Sequence, residues 1–184
     1  MSASQIPGYI SGTWTIDPAH SEIGFTVRHM MVSKVRGQFG TFEGTIVTAE
    51  DPKDSSATAV IDLGSITTNN EQRDGHLRSA DFFDSDSNPK MTFQSTSVRA
   101  SGDHFVAVGD LTIRGITKSV ELQVELNGFS PDPYGGTRAG LTATGQINRS
   151  DYGVTWNAAI EGGGVVVSEK VQLVLEIEAV LDKA

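Results

Sequence analysis

The chain has 184 residues, 38% of them apolar, with 14 Lys and Arg against 23 Asp and Glu for a net charge of −9. One domain accounts for that length, which a single all-β barrel commonly reaches. The acidic balance argues against nucleic acid, whose phosphates need a basic surface, and equally against adsorption to anionic lipid headgroups. With no cysteine there can be neither a disulfide nor a thiolate metal site, which fits a reducing compartment.

Met1 to Pro7 lacks the basic start and long apolar run of a signal peptide. No window approaches the roughly 18 to 20 apolar residues of a membrane span, so a cytoplasmic protein with no integral span is expected. Residues 1–11 read as a flexible lead broken by Pro7 and Gly8, ahead of one domain over 12–184. Trp14, close behind Gly12, opens the first strand as a core residue and a candidate plug for one barrel end. Ile23, Phe25 and Val27 then alternate with Gly24, Thr26 and Arg28. The run 35–47 is rich in β-branched and aromatic residues, and its Gly37, Gly40 and Gly44 permit the coiling of a closed sheet. A turn at 51–55 leads into the next apolar face, Ala57, Ala59, Ile61 and Leu63.

Here the alternation stops, and from Arg73 to Asp84 basic, acidic, imidazole and aromatic groups crowd into one span. Thr68-Asn69-Asn70-Glu71 matches a capping box and predicts a short helix over about 70–79. Gly75 inside that helix costs about 1 kcal/mol. Strand signals resume after Pro89, with a hairpin turn at Ser101-Gly102-Asp103 and a strand from 104 to 113. Val120, Leu122, Val124 and Leu126 alternate with Glu121, Gln123 and Glu125, the pattern of a strand wet on one face. After a loop at 130–136 come Leu141, Ala143 and Ile147. Gly162-Gly163-Gly164 reads as a mobile turn before a last strand over 171–179. About eight strands without intervening helices predict an antiparallel sheet, and the glycines within strands favour a barrel over a sandwich.

His20, His29, His76 and His104 lack metal-ligand spacing, so neither a metal nor a cofactor is expected. The triglycine precedes no helix and cannot cradle phosphate in the usual way. His76, Ser79 and Asp81 supply the residue types of a hydrolase, but no nucleophile elbow is present, and capping and ion pairing account for them. The eight phenylalanines fall largely at strand positions or in the central span. With small inward residues such as Gly40, Ala57, Ala59, Ala107, Gly109 and Ala143 they make room for an apolar tunnel.

Five blocks in order resemble the YceI-like family over roughly residues 12–182: Gly12 to His29, Gly37 to Gly44, His76 to Asp84 with Pro89 and Phe93, Gly109 to Lys118, and Ile147 to Gly153. The resemblance implies a lipocalin-like antiparallel β-barrel of about eight strands with a short helix between mid-chain strands. It further implies a pore for long isoprenoid chains, such as polyprenyl pyrophosphates or isoprenoid quinones, and a homodimer. On the matching positions, His20, His29, His76, Arg78 and Asp81 are expected at the polar end of the pocket, and Phe25, Phe39, Phe42, Leu77, Phe82, Phe83 and Phe93 around the tail. The expected function is non-enzymatic binding, storage or transport of such a lipid. The alternatives are an enzyme acting on a lipid head or quinone-like group through His76 and Asp81, and a structural interaction barrel.

Overall fold

The alternating segments form eleven strands: β1 (Gly12–Ile16), β2 (Glu22–His29), β3 (Ser33–Phe39), β4 (Phe42–Thr48), β5 (Ser56–Asp62), β6 (Ile66–Thr67), β7 (Lys90–Ser101), β8 (His104–Ile113), β9 (Ile116–Pro131), β10 (Thr137–Asn148) and β11 (Val167–Leu181). Among the described residues one α-helix, α1 (Glu71–Arg78), interrupts them. This computed structural model describes residues 1–161 and 163–184, so Gly162 of the triglycine lies outside the described residues. The order β1-β4-β5-β7-β8-β9-β10-β11 closes on itself through β1 and β11, giving an eight-stranded antiparallel barrel.

Three staves of the barrel are broken. β1 and β2 both run along β11, Trp14 facing Leu181 and Val27 facing Val171. They part at a 3₁₀ turn, Pro18–His20, which Asp17 caps by accepting from the Ala19 N–H at 3.0 Å. The run 35–47 likewise splits into β3 and β4 around Gly40 and Thr41, and β5 and β6 part at the turn Leu63–Ser65. β5 pairs with β7 only as far as Asp62 and Lys90, and among the described residues β6 pairs only with β3. The wall is therefore incomplete between β6 and β7 at one end, and α1 with the residues after it covers the gap.

The helix does not start with the expected capping box. Asn70 is the N-cap, accepting from the Arg73 N–H at 2.9 Å. Thr68 is buried instead, and both its N–H and its hydroxyl donate to Asp74 Oδ1 at 2.8 and 2.5 Å. Arg73 Nε donates to the same hydroxyl at 2.7 Å. A tertiary knot that ties α1 to β6 has taken the groups a local cap would have used.

Trp14 closes the opposite end. It is 1% exposed, its indole N–H donates to Thr48 Oγ1 at 2.8 Å, and its ring packs 5.6 Å from that of Phe129. Part of the lead is fastened here rather than loose, because Ile6 finds apolar cover and the Tyr9 hydroxyl donates to the Ala49 carbonyl at 2.7 Å.

Candidate functional site

Inward-facing residues leave an apolar cavity in two lobes. The upper lobe, about 180 Å³, lies under α1, and all of its 24 lining residues except Arg149 and Tyr152 are apolar. The lower lobe, about 170 Å³, runs towards Trp14 and is lined by Ile46, Ala57, Ala107, Leu126 and Ala143 among others. Ile23, Ala59, Phe93, Leu122 and Leu175 line both and form the waist between them. Each lobe alone falls short of the roughly 300–1,000 Å³ of ordinary ligand pockets, and the two end to end reach its lower limit. A slender apolar chain fits that shape better than a compact polar metabolite.

Two glycines seat the rings that shape the cavity. A Cβ at Gly37 would overlap the ring of Phe25, and one at Gly109 would overlap that of Phe93. Each ring therefore occupies the place that a side chain on the neighbouring strand would otherwise take.

The cover is built from α1 and the segment behind it. The Phe82 and Phe83 N–H groups donate to the carbonyls of Ser79 and Leu77, both at 3.0 Å, which turns Phe82 and Phe83 into the upper lobe. The His76 ring stands edge-on to Phe82 and to Trp156, with centroids 5.0 and 4.8 Å away. Its Nε2 lies 2.8 Å from Asp81 Oδ2. Ser79 Oγ donates to the His76 carbonyl at 2.6 Å, not to its imidazole, so the three residues make a fastened turn rather than a triad. Arg114 Nη1 joins the cover to the next segment by donating to the carbonyls of Phe82 and Gly153 at 3.0 and 2.7 Å.

Among the described residues, Arg149 and Tyr152, on the 3₁₀ turn after β10, bring the only polar side chains to the upper lobe. The Arg149 guanidinium is buried and donates to four carbonyls, those of Val154, Trp156, Val167 and Ser168. Burial pulls it below its ordinary pKa, while Glu169 nearby opposes the change. Tyr152 is 1% exposed and its hydroxyl has no hydrogen-bond partner among the described residues. Burial pushes that phenol up to about 12, which keeps it neutral.

Of the residues the sequence singled out, Phe25, Phe39, Leu77, Phe82, Phe83 and Phe93 line the upper lobe. Phe42 is buried in the wall outside both lobes. His76 and Asp81 lie on the outer side of the cover, partly exposed, and Arg78 ends α1 with its carbonyl accepting from the Ser85 N–H at 3.0 Å. His29 ends β2 opposite Ser33 and Val167, outside both lobes. His20 is far from the cover: the turn at Pro18–His20 breaks the alternation and leaves it on the outer surface, its Nδ1 2.7 Å from Asp17 Oδ2.

Around His20 a charge network has formed that sequence spacing did not suggest. Arg138 donates to Asp17 at 2.8 Å, to Glu178 at 2.5 Å and to Asp132 at 3.3 Å. Arg138 and then His20 hold the Asp17 carboxyl down at about 2. Asp17, His20 and Glu178 are close enough to share a metal ion, but the Arg138 guanidinium already pairs with both carboxylates. Sequence reasoning also missed Arg149, Tyr152, Trp156 and Arg114. Arg149 and Tyr152 sat inside a recognised block, and an arginine three residues before a tyrosine at the end of a strand was the available signal.

A family model for a YceI-like domain matches residues 14–179. The UPF0312 protein SA2479 of Staphylococcus aureus is 44% identical over 163 residues, 86% of this chain and 92% of the relative. Among solved structures, Burkholderia cenocepacia BcnA aligns with a TM-score of 0.75 at 22% identity, covering 89% of this chain and 98% of that one. A Campylobacter jejuni YCEI protein gives 0.72 at 29% identity, covering 91% and 96%. A polyisoprenoid binding domain from Saccharophagus degradans gives 0.68 at 18% identity, covering 94% and 100%. At 18% and 22% identity the likeness is one of fold.

Proposed function

The chain belongs to the YceI-like family, and from that premise we propose that its barrel binds a long-chain isoprenoid or similar amphiphilic lipid and carries or stores it unchanged. The observation that carries this reading is the pair of adjoining cavities between the α1 cover and the Trp14 end, which share five lining residues and of which the upper is apolar except at Arg149 and Tyr152. Burying each methylene of a tail is worth about 0.8 kcal/mol, so a long tail supplies affinity and a few polar contacts orient the head. The fold shared with a polyisoprenoid binding domain supports the same ligand class. Organic extraction of the purified protein followed by lipid mass spectrometry is expected to release a prenyl lipid. If no lipid is recovered, and the delipidated protein takes up no prenyl alcohol on incubation, the reading fails.

A second reading, acid–base chemistry on a lipid head, rests on the 2.8 Å contact between His76 and Asp81. Turnover of a bound lipid that disappears in His76→Ala would favour it. A carrier predicts instead that His76→Ala releases lipid faster, because the imidazole fastens the cover through Phe82 and Trp156.

A further inference from the structure

The hairpin between β2 and β3 turns through Met30 and Met31, both at positive φ, 50° and 60°. The Val32 N–H donates back to the His29 carbonyl at 3.2 Å. That is type I′ geometry, which favours Asn-Gly because a Cβ crowds the backbone at positive φ. Two large apolar residues occupy it here, and they point outward: Met30, Met31 and Val32 are 42%, 54% and 83% exposed. Reversing the chain does not require this, and Asn-Gly would do it with less strain.

Behind the tip, Met31 shares one surface groove with Arg28, Lys34, Arg36 and Lys170. All four cations are exposed, and none joins a salt bridge among the described residues. Arg28 lies directly opposite Lys34 across the hairpin, a like-charge pairing that costs stability until an anion arrives. Among the described residues the only carboxylate in the groove is Glu169, which is engaged by the Ser150 N–H at 2.8 Å. Four of the chain's 14 basic side chains thus gather at an apolar tip on a protein of charge −9.

We propose that this hairpin docks the barrel on an anionic phospholipid bilayer, with Met30, Met31 and Val32 entering the headgroup boundary and the four cations meeting lipid phosphates. An apolar edge backed by lysine and arginine is the pattern of interfacial binding. Net charge governs distant approach, but at contact only charges within a Debye length of about 8–10 Å count, and these are basic. The location has a use as well. His29 pairs with Val167, and Val27 and Val167 line the upper lobe, so docking sets the end of the cavity against the membrane. The surface goes beyond the lipid-binding reading and can be tested on protein with or without bound lipid.

The test is cosedimentation with vesicles of equimolar phosphatidylglycerol and phosphatidylcholine, against phosphatidylcholine alone. The protein is expected to pellet with the anionic vesicles and to be released by high salt. Lys34→Gln with Arg36→Gln removes two cations near the surface and is expected to weaken partitioning about thirty-fold. Met30→Asn with Met31→Gly installs the preferred turn residues, so Tm is expected to hold or rise while vesicle binding is lost. Three results overturn the proposal: equal pelleting with neutral vesicles, an Asn-Gly variant that binds like the parent, or a tip-dependent dimer in light scattering with no vesicle binding.

Discussion

Ala59 sits at the waist of the cavity, on β5 between Gly44 and Phe93, and it lines both lobes. Ala59→Leu adds three carbons into empty space. At about 0.8 kcal/mol per buried methylene, the delipidated protein gains up to about 2 kcal/mol. For a domain of this size that raises Tm by roughly 4–8 °C. The same side chain bars a ligand tail from the lower lobe. Leaving 170 Å³ unfilled, at about 24 cal/mol per Å³, forfeits about 4 kcal/mol, or roughly a thousandfold in affinity. A geranyl-length ligand, housed in the upper lobe, loses little. Scanning calorimetry of delipidated protein together with displacement of a fluorescent lipid by short and long prenyl alcohols measures both effects. The reasoning fails if long-chain affinity is unchanged, or if short and long ligands weaken equally, since the second result would mean distortion rather than blockage.

Tyr152→Phe removes a buried hydroxyl without a partner, and is expected to stabilise the protein by about 1 kcal/mol in chemical denaturation; a clear loss would mean that the hydroxyl is satisfied. Gly109→Ala places a Cβ 2.7 Å from the Gln94 carbonyl oxygen and into the Phe93 ring. It is expected to cost about 1–3 kcal/mol and, by pushing that ring into the waist, to weaken long-chain binding. Asp17 titrates near 2 when folded against 3.8 when free, so its contribution, at most about 2 kcal/mol, is full above pH 4 and is lost as pH falls towards 2. Asp17→Asn should therefore lower Tm at neutral pH and make progressively less difference as pH falls through 2; an equal loss at both ends would place the effect in packing rather than charge.

The barrel was legible because period-two alternation is a local property. Val120 to Leu126 announces which face is dry without reference to any other strand, and the aromatic span at 73–84 stands out because it breaks that rule. Phe25, Phe39, Phe82, Phe83 and Phe93, which line the upper lobe, were assigned to the pocket by the family resemblance rather than by alternation. The turns that break three staves were less visible. Pro18 marked one of them, yet nothing local showed that His20 would end on the outer surface. The Thr68 capping box failed because Asp74, six residues on, offered Thr68 a better partner than the helix did.

Composition and alternation determined an antiparallel sheet of about eight strands with an interrupted middle; the glycines within strands favoured a barrel over a sandwich, and the family resemblance implied its pore. Three things were decided only by the tertiary structure: two lobes meeting at Ala59, a guanidinium at Arg149 spent on backbone carbonyls, and basic side chains gathered behind Met30 and Met31. Each depends on register between strands distant in sequence, where a slip of one residue would send every side chain to the other face. Net charge illustrates the difference most directly. The total of −9 is a sum over the chain and argued against anionic surfaces, whereas the pairing of Arg28 with Lys34 fixes where positive charge concentrates. Contact with a membrane is governed by that local arrangement, because screening removes the rest.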